Sequence, residues 1–453
     1  MTIYYVDTTT GDDGDSGETE ELAWETVGQV NGSSFDPGDS ILFKRGETFD
    51  TDTRLEAPSS GSPGNVITFG DYGTGALPII DGGTDTGGFF ANNESYLTIQ
   101  NIEFTGGTGD CVHLGGDNLI LQDCAIHDPA KTACVVDGPA ATRHDILIDG
   151  CTIYNVPDSS GAAYHGILIQ YTSTSGYADG PVDITISNNY IYDNGGDATL
   201  DHGIYVKDCD GCIIEHNTCE NNVSDNIKVN GNNANTIVRY NIMFDSPGQG
   251  LDLSGTQTAG QGNQAYYNIS YSNGAAGILF GGNCDGWEIY NNTFVNNGLT
   301  VSDGQLQVTD GAESNTIKNN IFYSDEAVVG ESRQAIEVES ETEATANTWD
   351  YNCVVLLNSD DSATPYRVTG DDPVKQTLAE WKVTTGQADN SINSDPSFID
   401  VGGDDFHLAL GSPCIEAGVD VGLTNDYDGV PLGRGVNPDT GASETLKGGP
   451  PGL

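Results

Sequence analysis

Four-residue runs in which apolar and variable side chains alternate recur along the middle of the chain. They include Cys111-Val-His-Leu114, Gly166-Ile-Leu-Ile169, Gly203-Ile-Tyr-Val206, Asn226-Ile-Lys-Val229, Gly250-Leu-Asp-Leu253, Gly277-Ile-Leu-Phe280, Gln305-Leu-Gln-Val308 and Ala335-Ile-Glu-Val338. A period of two predicts strands with one apolar face and one variable face. A strand this short cannot bury its apolar face alone. Stacking successive repeats would turn the Ile, Leu and Val positions into one continuous core.

A second column fixes the register. Asn189, Asn217, Asn241, Asn268, Asn292, Asn320 and Asn352 recur at spacings of 24 to 32 residues, each where a strand runs into a turn, as in Ile289-Tyr-Asn-Asn292-Thr. In coils stacked about 4.8 Å apart, equivalent amides lie above one another and can bond along the stack. The sequence therefore predicts an all-β, single-stranded right-handed parallel β-helix with an internal Asn ladder. Its expected organisation is an N-terminal cap and first coils over residues 1–85, the β-helix over 86–360, and a C-terminal segment over 361–453 that packs back on the coils. Glu20 to Val30, with Leu22, Val27 and Val30 on one face, is the expected capping helix, and Thr377 to Lys382 a second short helix.

Composition sharpens the setting. Against 68 acidic residues stand 15 Lys and Arg, giving a formal charge of −53. Such a surface repels nucleic acid phosphates and anionic lipid, so neither is an expected partner, and it fits a high-salt environment where ions screen the repulsion. No stretch is apolar enough to span a membrane, and Met1 leads straight into the strand-like Thr2 to Val6. The expected locations are extracellular, with a signal removed, or on a virion, where a homotrimer is the natural assembly. Of the 10 Cys, Cys111 with Cys134 and Cys124 with Cys151 are expected to share repeat columns as small buried apolar side chains.

The opening Tyr4-Tyr-Val-Asp7, Asp36-Pro-Gly-Asp-Ser-Ile-Leu-Phe43 and Pro78-Ile-Ile-Asp-Gly82, with the closing Asp395-Pro-Ser-Phe-Ile399, Gly411-Ser-Pro-Cys-Ile-Glu-Ala-Gly418 and Asp426-Tyr-Asp-Gly429, resemble the pectate-lyase-like right-handed β-helix superfamily. That resemblance implies a fold. It implies no single activity, because the superfamily holds polysaccharide lyases, glycoside hydrolases, epimerases, phage tailspikes and members without catalysis. No subfamily's catalytic motif is matched.

Candidate chemistry comes from the outward rows of the aligned strands. His165, His202 and Asp225 begin adjacent strands, Tyr205, Lys228 and Asp252 occupy mid-strand, and Gln170, Lys207 and Asn230 form a third row. Few cations are available to this chain, so their gathering is informative. For uronate β-elimination, Lys228 or His202 would be the base, Tyr205 the acid and Lys207 the charge stabiliser. Asp225 and Asp252 would instead hold Ca²⁺ against a substrate carboxylate, or act as an acid/base pair in glycoside hydrolysis. His165, Gln170, Asn230 and Tyr171 would contact the sugar, with Tyr164, Tyr171 and Tyr177 flanking an insertion beside the groove. The expected function is cleavage, by elimination or hydrolysis, of an acidic or cell-surface polysaccharide. Noncatalytic glycan binding by a tailspike or adhesin and a purely structural virion role are the alternatives.

Overall fold

The computed structural model describes the chain except residues 51–52, 139–142, 160, 172–177, 198, 257–259, 302, 331–333, 361–362, 371–372, 431–436 and 444–453. The described residues form two compact units, 1–224 and 225–453. Both are built as parallel β-helix coils, each coil contributing one strand to each of three sheets.

In the first unit a representative coil runs through Leu97–Gln100, Glu103–Gly106 and Val112–Gly115 before the next begins at Leu119. Inward rows stack in register: Leu97 on Leu119, Leu119 on Ile146, and Ile146 on Ile184, all with at most 1% exposure. The second unit repeats the arrangement, with Ile227, Leu251, Ile278, Leu306 and Ile336 in one buried row. The strand column read from the sequence is the observed register within each unit.

The corner between the first two sheets explains the Asn column. The residue before each ladder position has positive φ: Asn188, His216, Tyr240, Tyr267, Asn291, Asn319 and Tyr351 lie between 53° and 59°. A left-handed non-glycine residue is costly, and here it bends the strand so that the next side chain points inward. The ladder compensates. Asn189 Nδ2 donates to Asn217 Oδ1 (2.9 Å) in the first unit, and Asn241 to Asn268, Asn268 to Asn292, Asn292 to Asn320 and Asn320 to Asn352 (3.0–3.1 Å) in the second. Cys124 and Cys151 occupy the same corner in earlier coils, and the Cys151 backbone N–H donates to Asn189 Oδ1 (2.8 Å).

The other cysteine pairing is corrected. Cys134 lies opposite Val112, so Cys111 falls opposite Ala133, one residue out of the expected column. Small apolar side chains at both positions hid the slip. All ten cysteines are buried free thiols.

The N-terminal helix is also shorter than the apolar pattern suggested. Val27–Asn31 is helical, its Thr26 side chain accepting from Gln29 N–H, and Val27 and Val30 are fully buried. Leu22 sits in a separate turn and is 43% exposed. Trp24 takes the covering role instead, stacking on Tyr4 at 5.0 Å. The second helix spans Leu378–Thr385 with a capping box between Thr377 and Glu380. Its Trp381 is buried against Tyr366 at 4.9 Å.

Beyond it, Phe406, Leu408 and Cys414 pack on Val295, Ile321, Tyr323 and Val355 of the second unit's coils. His407 pins this region between Asp405 (2.5 Å) and Asp428 (3.1 Å), and its pKa is pushed up to about 9, chiefly by the Asp428 hydrogen bond. The folded value exceeds the ordinary 6.5, so the contribution is whole below that pH and lost as pH rises through about 9. Limited proteolysis of the C-terminal segment is expected to accelerate between neutral pH and pH about 10, and His407→Gln to remove that dependence.

Candidate functional site

The residues singled out from the sequence divide between the units. His165, Gln170, Tyr171, His202, Tyr205 and Lys207 belong to the first; Asp225, Lys228, Asn230 and Asp252 belong to the second.

In the first unit, Ile167–Gln170 pairs with Ile204–Lys207, placing Leu168 beside Tyr205 and Gln170 beside Lys207. Two residues before each strand, the chain turns His165 and His202 into a stack. Their rings are 5.4 Å apart and 6° from parallel, and His165 stacks on Tyr205 at 4.8 Å. Both histidines are nearly inaccessible, with 2% and 3% exposure. His202 backbone N–H donates to His165 Nδ1 (3.2 Å), which leaves the proton of the neutral His165 ring on Nε2. Lys207, Gln170 and Tyr171 are partly exposed. Tyr164 N–H is taken up by Asp201, and Tyr177 lies outside the described residues.

Asp201 was not legible as a site residue. Its fully buried carboxylate accepts N–H groups from Ser159 (3.2 Å), Tyr164 (2.9 Å), Gly196 (2.9 Å) and Asp197 (2.8 Å). Burial raises its pKa, but these four donors together hold it below the ordinary carboxylate value. Two loops are thereby tied to the residue preceding His202. Asp201→Ala is expected to destabilise the protein by about 3–5 kcal/mol in chemical denaturation, because several buried N–H groups lose their acceptor at once.

In the second unit, Ile227–Asn230 pairs with Leu251–Ser254, so Lys228 and Asp252 are directly opposite. Lys228 Nζ contacts Asp252 Oδ2 and lies 3.5 Å from Asp225 Oδ2. The carboxylates are almost completely buried, whereas the Lys228 side chain is 18% exposed. Asp225 Oδ1 accepts Gln249 N–H (2.9 Å), and Ser254 Oγ donates to Asp252 Oδ1. Burial raises the Asp252 pKa, the Asp225 charge adds to the rise, and Lys228 opposes it. Asn230 turns its amide oxygen onto Gly231 N–H (2.6 Å).

The group is an acid held partly against ionisation beside a second carboxylate. The two carboxylates share one ammonium, Asp252 in contact with it and Asp225 at 3.5 Å. The set does not suit Ca²⁺, because the Lys228 ammonium already fills the place between the carboxylates. Among the described residues no group of three or more His, Cys, Asp or Glu side chains is arranged to hold a metal ion.

Fold and register together define a class: a parallel β-helix that carries polar rows on one outer sheet. The match of residues 87–322 to the family described as "Right handed beta helix region" covers more than half of the sequence, and the chain belongs to that family. It is 24% identical to a lacto-N-biosidase of Bifidobacterium longum over 72% of this chain and 27% of that protein, so it spans about a quarter of that relative's length. Among solved structures it resembles a GH136 lacto-N-biosidase from Eubacterium ramulus (TM-score 0.55, 18% identity, 74% of this chain and 68% of that one). It also resembles pectate lyase Pel9A (TM-score 0.59, 15% identity, 98% and 97% covered). At these identities the structural likeness shows the fold.

Proposed function

We propose that this chain hydrolyses glycosidic bonds, with Asp252 as the proton donor, Asp225 as the carboxylate facing the anomeric carbon, and Lys228 holding the two in place. The observation that carries this reading is the buried Asp225–Lys228–Asp252 group, in which burial and a neighbouring charge push the Asp252 pKa upward. Pairs of carboxyls with different environments divide the acid and nucleophile roles in retaining hydrolysis. Asp252 gives its proton to the departing oxygen as Asp225 forms a glycosyl ester; water then opens the ester and returns a proton to Asp252.

Elimination is less well supported, because Lys228, its leading base, is engaged with two carboxylates. Similarity to proteins named lacto-N-biosidase agrees with a glycosidase. The partly exposed Gln170, Tyr205 and Lys207 on adjacent strands support a second reading, glycan binding without turnover, as on an adhesin or a trimeric tailspike. An acidic surface suits action outside the cell, on a secreted or virion-borne protein.

Incubation with a panel of neutral and acidic polysaccharides at high salt distinguishes these cases. New reducing ends without the ultraviolet absorbance of unsaturated uronates are expected. Absorbance rising with the reducing ends would establish elimination, and stable complexes without products would establish binding alone.

A further inference from the structure

The first unit holds a cleft of about 210 Å³ that the proposed chemistry does not use. It is lined by Arg54, Thr86, Phe90, Asp110, His113 and Lys131, together with glycines and the buried Phe89. Phe90 and His113 are neighbours in the strand register, their rings 4.9 Å apart. Arg54 lies over the Phe90 ring at 4.1 Å, anchored by Glu56 (2.7 Å) and by Thr86 Oγ1. Asp137 fixes His113 through Nε2 at 2.6 Å. Asp110 accepts Thr132 N–H on Oδ1 (3.1 Å), and burial raises its pKa.

Three cationic or potentially cationic side chains thus meet one carboxyl inside the cleft, on a chain carrying −53 overall. Arg54 and His113 already have carboxylate partners. Lys131 is exposed, and among the described residues its ammonium takes part in no ion pair, although its charge acts on Asp110. Holding cations in place around an aromatic wall, beside a half-buried carboxyl, is a costly arrangement for a surface with no ligand.

We propose that this cleft binds a sugar residue carrying an anionic substituent, a carboxylate or a sulfate. Lys131 and Arg54 would receive the anion, Phe90 and His113 form the wall against the ring, and the Asp110 carboxyl meets a hydroxyl. A bare inorganic anion fits less well, because Asp110 lines the same space and the aromatic wall would be unused. The site is independent of Asp252, so it stands or falls separately from the hydrolysis proposed above.

The test is calorimetric titration of the full chain with digalacturonate, galactose 4-sulfate, methyl galactoside and inorganic sulfate. Binding of either anionic sugar is expected, with methyl galactoside and inorganic sulfate weaker by roughly tenfold or more. Which anionic sugar binds identifies the substituent. Lys131→Glu, at an exposed position, is expected to weaken that binding by roughly tenfold or more and leave glycan cleavage at Asp252 unchanged. Equal binding of methyl galactoside, failure of both anionic sugars to bind, or an unaltered affinity in Lys131→Glu would overturn the proposal.

Discussion

Asp252→Asn is expected to lower the rate of glycan cleavage by about 10²–10⁴-fold, the range set by removal of a positioned general acid. The substitution keeps the side chain's shape and its contact with Ser254, and removes the titrating proton. Its effect on stability separates catalysis from structure. Asp252 is a buried acid facing the Asp225 charge, so neutralising it relieves repulsion while Lys228 keeps one carboxylate partner. Activity should fall while the denaturation midpoint holds or rises, as is common where an active site stores unfavourable charge. A loss of stability matching the loss of activity would show instead that the group is a structural ion pair. The wild-type rate should also decline on the alkaline side at a pH above the ordinary carboxylate range, because the proton donor's pKa is raised. A profile flat across that range would remove Asp252 from the mechanism.

The largest stability effect is expected in the ladder, at Asn268→Leu. The Asn268 amide donates to Val238 O (2.8 Å) and Asn292 Oδ1 (3.0 Å), and its oxygen accepts Asn241 N–H (3.1 Å) and Asn241 Nδ2 (3.0 Å). Leucine has the same branched outline and is larger, so no cavity forms. Several polar groups with no access to water are orphaned instead, at about 1–3 kcal/mol each, for a total on the order of 3–6 kcal/mol. Guanidinium unfolding followed by circular dichroism measures the loss. A shift below about 1 kcal/mol would mean the amides are incidental to coil stacking.

More of this ladder system was written in the sequence than the first Asn column. Five residues after several ladder positions stands another asparagine: Asn194 after Asn189, Asn222 after Asn217, Asn273 after Asn268 and Asn297 after Asn292. These form a second buried ladder at the next corner, Asn194 donating to Asn222 (2.9 Å) and Asn273 to Asn297 (2.8 Å). Each again follows a residue with positive φ, Asp193, Asn221, Ser272 and Asn296. The Asn and Asp content of the turns was the available signal.

Site legibility was uneven for a related reason. Lys228 opposite Asp252 followed from the column alignment, since period and register alone determine which outward residues are neighbours. Asp201 left no such trace, because its partners are backbone N–H groups of irregular loops and carry no side-chain identity. The Phe90–His113 cleft was half visible: His113 lies in one of the aligned strands, but Arg54 reaches it from a segment without the repeat.

The sequence by itself determined which side chains face inward, which corner each Asn occupies and which outward residues share a row. Those properties depend only on a strand's twofold alternation and on the spacing of successive coils, and both are encoded locally. Tertiary structure alone decided the upward shift of the Asp252 pKa, the pinning of Lys228 between two carboxylates and the approach of Arg54 to the Phe90 ring. Such properties arise from burial and from distances of a few ångströms between side chains far apart in the chain, to which a repeat pattern is blind.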